Sequence, residues 1–333
     1  MHKDNNLPQI ELHNLFADRG LKVIEKFGQI LFIDINDSKL LSILENVKKY
    51  WKDTYRPSLT SFSCEAVGGD PEATITASLM ISLAGAGIGI HDDIIDKSLI
   101  KHFRRTLVGL YTPEEALVVG DLLIVKALTL TQLLISEVND QKKASDVIKT
   151  LEHYFFTMCA GELMEISFRK NLEVELEYYI NAIWKLGSDV EVCTRIGALL
   201  GNGSKSEIEA LSNYGRHLGY IVRLAEDVKD TLNFEGNLAH RLRYESVPLP
   251  ILYAAKDTRE KFYEIKKIIE SSSISTSGIK RLLDLCFETE AFTYVQDVAN
   301  KTVIDGIREL NKLKPSVAKK ILTFLIERTY PNI

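Results

Sequence analysis

Ala77-Ser78-Leu79-Met80-Ile81-Ser82-Leu83-Ala84-Gly85-Ala86-Gly87-Ile88-Gly89-Ile90-His91-Asp92-Asp93-Ile94-Ile95-Asp96 is an apolar run that ends in acid. The stretch from Ala77 to Ile90 is broken by serines and glycines. It is shorter than the roughly 20 apolar residues that span a bilayer, so it reads as a buried helix. If the helix continues, Asp92 and Asp96 fall one turn apart on the same face. Two carboxylates so placed repel each other, and they do so at the end of a very apolar element. A cation is the natural compensation. Oxygen-only ligands suit magnesium, which takes one or two carboxylates and completes its shell with water and phosphate oxygens.

A solvated helix end would explain one such triplet. It does not explain two. Glu226, Asp227 and Asp230 repeat the spacing after the apolar Leu218-Gly219-Tyr220-Ile221-Val222. Matched acidic sites point to a diphosphate held between them through metal.

Helix starts recur outward from these clusters. Asp70 precedes Pro71-Glu72, Thr112 precedes Pro113-Glu114-Glu115, and Ser204 stands three residues before Glu207. Each is a capping side chain ahead of an apolar-periodic run. Leu117, Val118, Leu122, Leu123, Ala127, Leu128, Leu130 and Leu134 keep three- and four-residue spacing, and no alternating strand stands out. The expectation is an all-α chain, one domain over 1–333 with about ten or more helices. Met1 to Asn6 should be a frayed end and Ser271 to Ser277 a serine-rich loop.

The 333 residues are 45% hydrophobic and 26% charged, which excludes a disordered chain. A net charge of −5 gives no basis for binding nucleic acid. Cys64, Cys159, Cys193 and Cys286 are too scattered for a zinc site or a disulfide framework. The N-terminus lacks the apolar core of a signal peptide. A cytoplasmic enzyme without an integral membrane segment is expected.

The chain resembles the trans-isoprenyl diphosphate synthases, the polyprenyl synthetase family. The resemblance rests on Arg56-Pro57, Glu65-Ala66-Val67-Gly68-Gly69-Asp70-Pro71, His91 to Asp96, Val119-Gly120-Asp121-Leu122-Leu123, Gly161-Glu162, Lys185, Glu226 to Asp230, and Leu249-Pro250-Ile251-Leu252-Tyr253, in that order. It implies helices around a central cavity, a homodimer, and three Mg²⁺ ions bridging the motifs and an allylic diphosphate. Isopentenyl diphosphate would then be added head-to-tail. Carried over, Asp92, Asp96 and Glu226 are metal ligands, Asp93, Asp227 and Asp230 support them, and Lys185 contacts the allylic diphosphate.

Departures concentrate on the cations. Glu226 stands where the family has aspartate, and Asp53 where it has the lysine of a Gly-Gly-Lys element, while Arg56 is retained. Lys101 and His102 fall on the usual Arg-Arg pair, with Arg104 and Arg105 about one turn later, and either pair could face phosphate. Arg223 replaces a glutamine. The later lysines fall near Asn237 and Ser246, so that Arg241 or Arg243 would have to substitute. Gly87 and Ile88 occupy the positions whose bulk stops chain growth in the family. With Gly85, Ala86 and Gly89 they make a small wall, at a cost of roughly 2 to 3 kcal/mol for three helical glycines. Space for a tail of geranylgeranyl length or longer is one reading, and close helix packing is the other. Tyr154, Phe155, Phe156 or Met158 could set the floor instead. The competing functions are a class I terpene synthase-like lyase or cyclase, which needs no isopentenyl site, and a non-catalytic partner subunit.

Overall fold

A computed structural model describes residues 9–330, so the expected frayed Met1 to Asn6 lies outside the described residues. The helices, in chain order, are α1 (Gln9–Ile30), α2 (Ser38–Tyr50), α3 (Tyr55–Ala66), α4 (Ile75–Ile95), α5 (Leu107–Leu110), α6 (Pro113–Thr129), α7 (Thr131–Val138), α8 (Gln141–Ser167) and α9 (Leu176–Leu186). They continue as α10 (Ser188–Leu200), α11 (Lys205–Thr231), α12 (Leu238–Tyr244), α13 (Leu249–Ala255), α14 (Arg259–Ile269), α15 (Thr276–Phe287), α16 (Ala291–Leu310) and α17 (Val317–Thr329). The fold is all-α, as expected.

The caps act where the sequence places them. Asp70 accepts from the Glu72 amide and opens the 3₁₀ turn Pro71–Thr74 that feeds α4. Thr112 with Glu115, and Ser204 with Glu207, form reciprocal capping boxes at the starts of α6 and α11. Asn202 ends α10 in the left-handed region at φ 59°. The serine-rich loop is shorter than expected, because Ser275 caps α15 and Thr276 and Ser277 already belong to it. One strand pair was not anticipated: Ile100–Lys101 (β1) pairs antiparallel with Arg104–Arg105 (β2). Two residues per strand are too few for an alternating pattern to register.

Helix α4 is the spine. Thr76 through Gly87 are all buried, and α6 runs alongside. The two helices touch at Gly87 and Gly120: a Cβ at Gly87 would lie 2.6 Å from the Gly120 carbonyl oxygen. One buried cluster joins α4 to α1, α2 and α6, and a larger one fills the α8–α17 half. Leu130 and Phe155 pack against both.

The spans Pro71–Ile95 and Pro113–Val138 are each long and apolar enough to cross a bilayer, which corrects the estimate made from Ala77–Ile90 alone. The first is enclosed by protein. The second leaves Leu117, Val118, Val125 and Leu128 exposed along α6.

Candidate active site

A cavity of about 900 Å³ opens between α4, α6, α8, α11 and the segments after α2 and α4. Gly85, Ile88 and Gly89 of α4, Ile124 of α6, and Tyr154, Phe155 and Met158 of α8 form much of its apolar wall. Phe156 is exposed on the outside. Gly87 does not line the cavity. It turns to α6, so the close-packing reading holds at that glycine, whereas Gly85 and Gly89 face the space. The nearest atoms to a Cβ at those two positions lie at 3.8 and 4.0 Å.

The first acidic cluster sits at the C-terminus of α4. The helix dipole is negative there, so each carboxylate raises the electrostatic cost. Protein cations offset part of it. Lys101, carried in by β1, places Nζ 2.7 Å from Asp92 Oδ2 and 2.9 Å from Asp93 Oδ1. Burial works against its ammonium, but Asp92 and Asp93 outweigh burial and hold it above its ordinary range. Arg169 donates to the Ile95 carbonyl at 2.9 Å and lies 3.3 Å from Asp96 Oδ1. His240 Nε2 lies 2.9 Å from the Asp96 carbonyl oxygen.

Glu162, on α8, completes this cluster. Carboxylate oxygens of Asp92, Asp96 and Glu162 all lie within 4.8 Å of one another. Burial, then Asp92 and Glu245, push Asp96 up to about 8; burial, then Asp92 and Glu165, push Glu162 up to about 7. Among the described residues this is the one group of three or more such side chains that could close on a single ion. An all-oxygen set whose mutual repulsion Lys101 and Arg169 relieve only in part fits a hard divalent cation such as magnesium. Glu162 was legible only as part of Gly161-Glu162, and its place beside Asp92 comes from the packing of α8.

The second cluster splits in two. Glu226 lines the cavity, half-exposed, with Arg223 3.3 Å away, and lies outside the three-carboxylate group. Asp227 is buried: it accepts from Arg241 at 2.5 Å, the Tyr179 hydroxyl at 3.0 Å and the Leu249 amide at 3.1 Å. Arg241 also pairs with Asp230. Arg241 is thus committed to the protein and not free to replace the missing lysines, while Arg243 donates to the Ser272 carbonyl.

Of the two candidate basic pairs, Lys101, His102 and Arg105 line the cavity and Arg104 does not. His102 and Phe103 form the turn between β1 and β2 with φ of 51° and 59°, a conformation costly for side chains of their size. Glu235 steadies it through the His102 amide and ring. Lys185 lies outside the cavity lining, its Cβ turned toward Gly161 of α8, and its neighbour Leu186 reaches the wall instead. Arg56 lines the cavity with its guanidinium held by Asp53 at 2.7 Å and Asp189 at 3.0 Å.

Helices enclosing a cavity with carboxylates at one end and apolar side chains along the rest suit a ligand with an anionic, metal-bound head and an apolar tail. The polyprenyl synthetase family model matches residues 42–286, and the chain belongs to that family. It is 27% identical over 310 residues to the short chain isoprenyl diphosphate synthase of Methanothermobacter thermautotrophicus, covering 89% of this chain and 93% of the relative. It is 29% identical over 284 residues to the geranylgeranyl diphosphate synthase of Methanosarcina mazei, covering 83% and 85%. The geranylgeranyl pyrophosphate synthetase structure from Pyrococcus horikoshii superposes with a TM-score of 0.81 at 23% identity, over 96% of this chain and 99% of that one. The chain is therefore an isoprenoid synthase-fold trans-prenyl diphosphate synthase.

Proposed function

We propose that this chain condenses an allylic diphosphate with isopentenyl diphosphate into a trans-prenyl diphosphate of geranylgeranyl length or longer. We also propose that it works as one domain, with Mg²⁺, in a homodimer. The charge imbalance of the cavity carries this reading: seven lining carboxylates face four lysine and arginine side chains. Bringing in diphosphates without divalent cations would only worsen that excess. Asp92, Asp96 and Glu226 are the assigned metal ligands, with Glu162 added to the first pair. Asp93, Asp227 and Asp230 hold the two clusters in place.

Bound magnesium supplies the positive charge that a departing diphosphate needs. The protein does the rest. Lys101 and Arg105 orient the diphosphate at the mouth. Ile88, Ile124, Phe155 and Met158 keep water from the allylic cation, whose capture by the isopentenyl double bond forms the new carbon–carbon bond. The proton lost in that step goes to the released diphosphate. The apolar wall of Ile88, Gly89, Ile124, Phe155 and Met158 supports a long tail. The exposed apolar residues of α6 suit a second copy, and free thiols at all four cysteines suit a reducing cytoplasm.

Arg56, flanked by two carboxylates, favours a second reading, a terpene synthase-like lyase that ionises the same substrate without an acceptor. Incubation with Mg²⁺, labelled isopentenyl diphosphate and a series of allylic diphosphates separates the two. Label in product supports elongation, and allylic substrate consumed without label supports the lyase. Activity only beside a second protein would mean a partner subunit. Asp92→Ala should abolish turnover with the helical circular dichroism intact, and an unchanged rate would remove the metal assignment.

A further inference from the structure

We infer that Asp53, seconded by Asp189, sets this enzyme's affinity for its acceptor by neutralising the one cavity guanidinium that stands apart from the acidic clusters. The inference rests on the elongation reading. Among the four lining cations, Lys101 is bound to Asp92 and Asp93, Arg223 lies against Glu226, and Arg105 lies on β2, in the same hairpin as Lys101. Arg56 stands elsewhere. Its Nε and Cδ are the nearest atoms to a Cβ built at Gly85, about 10.5 Å along the α4 axis from Asp92.

Two substrates each bring a diphosphate, and the carboxylate end with its metal serves the first. Arg56 is the guanidinium left for the second. Its two terminal nitrogens are already satisfied by Asp53 and Asp189, whose side chains are only 14% and 13% exposed, and its Nε is buried without a partner. The corner therefore carries net charge −1. An incoming diphosphate must compete with two internal carboxylates and is repelled by both at an effective dielectric well below that of water.

Asp53 also has a structural task that must be separated from its charge. Its Oδ1 accepts from the amides of Tyr55 at 2.9 Å and Arg56 at 3.4 Å, capping the start of α3. Asn keeps that oxygen and removes the charge, so Asp53→Asn tests the electrostatic role alone. Asp189 makes no such cap, and Asp189→Asn is an independent second variant.

Binding of isopentenyl diphosphate alone, which cannot react without an allylic partner, is measured by calorimetry for the wild type and both variants. Michaelis constants for both substrates follow from turnover. Kd and KM for isopentenyl diphosphate should fall at least tenfold in each variant while the allylic KM moves less than twofold. Acceptor affinity unchanged or weakened in both folded variants overturns the inference, as does an equal gain for both substrates. Tightened binding with no label ever incorporated would leave the role of Asp53 standing and overturn elongation instead.

Discussion

Alanine placed at Gly87 and, separately, at Gly89 should move stability in opposite directions, although the two glycines are half a turn apart on one helix. Either change recovers about 1 kcal/mol of helix propensity. At Gly89 nothing opposes that gain, because the nearest atom to the new Cβ is Trp51 Cζ3 at 4.0 Å. At Gly87 the Cβ would sit 2.6 Å from the Gly120 carbonyl oxygen and 2.7 Å from Ile124 Cγ1. The backbone oxygen cannot rotate away, so α4 and α6 must separate, and overpacking of this kind costs about 1–3 kcal/mol. Propensity cancels between the two variants, so the steric term is their difference, with Gly89→Ala more stable by about 1–3 kcal/mol. Urea unfolding midpoints at one protein concentration measure it. Equal midpoints, or a more stable Gly87→Ala, would refute the claim that Gly87 holds the helices together. By the same argument phenylalanine at Gly87 should fail to fold instead of shortening the product.

Other outcomes follow from the geometry. Arg241→Met leaves Asp227 buried without its cation and should cost about 3–5 kcal/mol in denaturant unfolding; a loss under 1 kcal/mol would show that Tyr179 and the Leu249 amide suffice. Asp96 and Glu162, held near about 8 and about 7 by burial first and Asp92 next, keep protons in the folded chain that they lose when it unfolds. Metal-free stability should therefore fall as pH rises from about 5 to about 8. Mg²⁺ competes with those protons, so the rise in Tm on adding it should be larger at pH 8 than at pH 6; an equal rise would contradict the assignment. Ile88→Phe, on the cavity wall, should shift the product to shorter chains by mass spectrometry, with an unchanged length distribution counting against that wall as the limit.

The sequence by itself determined the helical class, the caps at Asp70, Thr112 and Ser204, and the two acid-rich turns, because these depend on neighbours within a few residues. Spacing on one helix places Asp92 beside Asp96, but it cannot bring Glu162 from α8 to them. That contact depends on how α8 packs across the cavity. Nor could spacing decide which glycines of α4 line the cavity: Gly85 and Gly89 do, while Gly87 meets Gly120, since α6 covers one side of the helix only. Arg241 is a plausible substitute for a lysine of the family pattern, yet it is fixed to Asp227 and Asp230, while Lys185, which fits the pattern, has its Cβ against Gly161, next to Glu162. The loss of a lysine at Asp53 was visible as a letter. Only the folded chain turned that loss into a carboxylate clamp on Arg56, because Asp189 arrives from α10, 133 positions away.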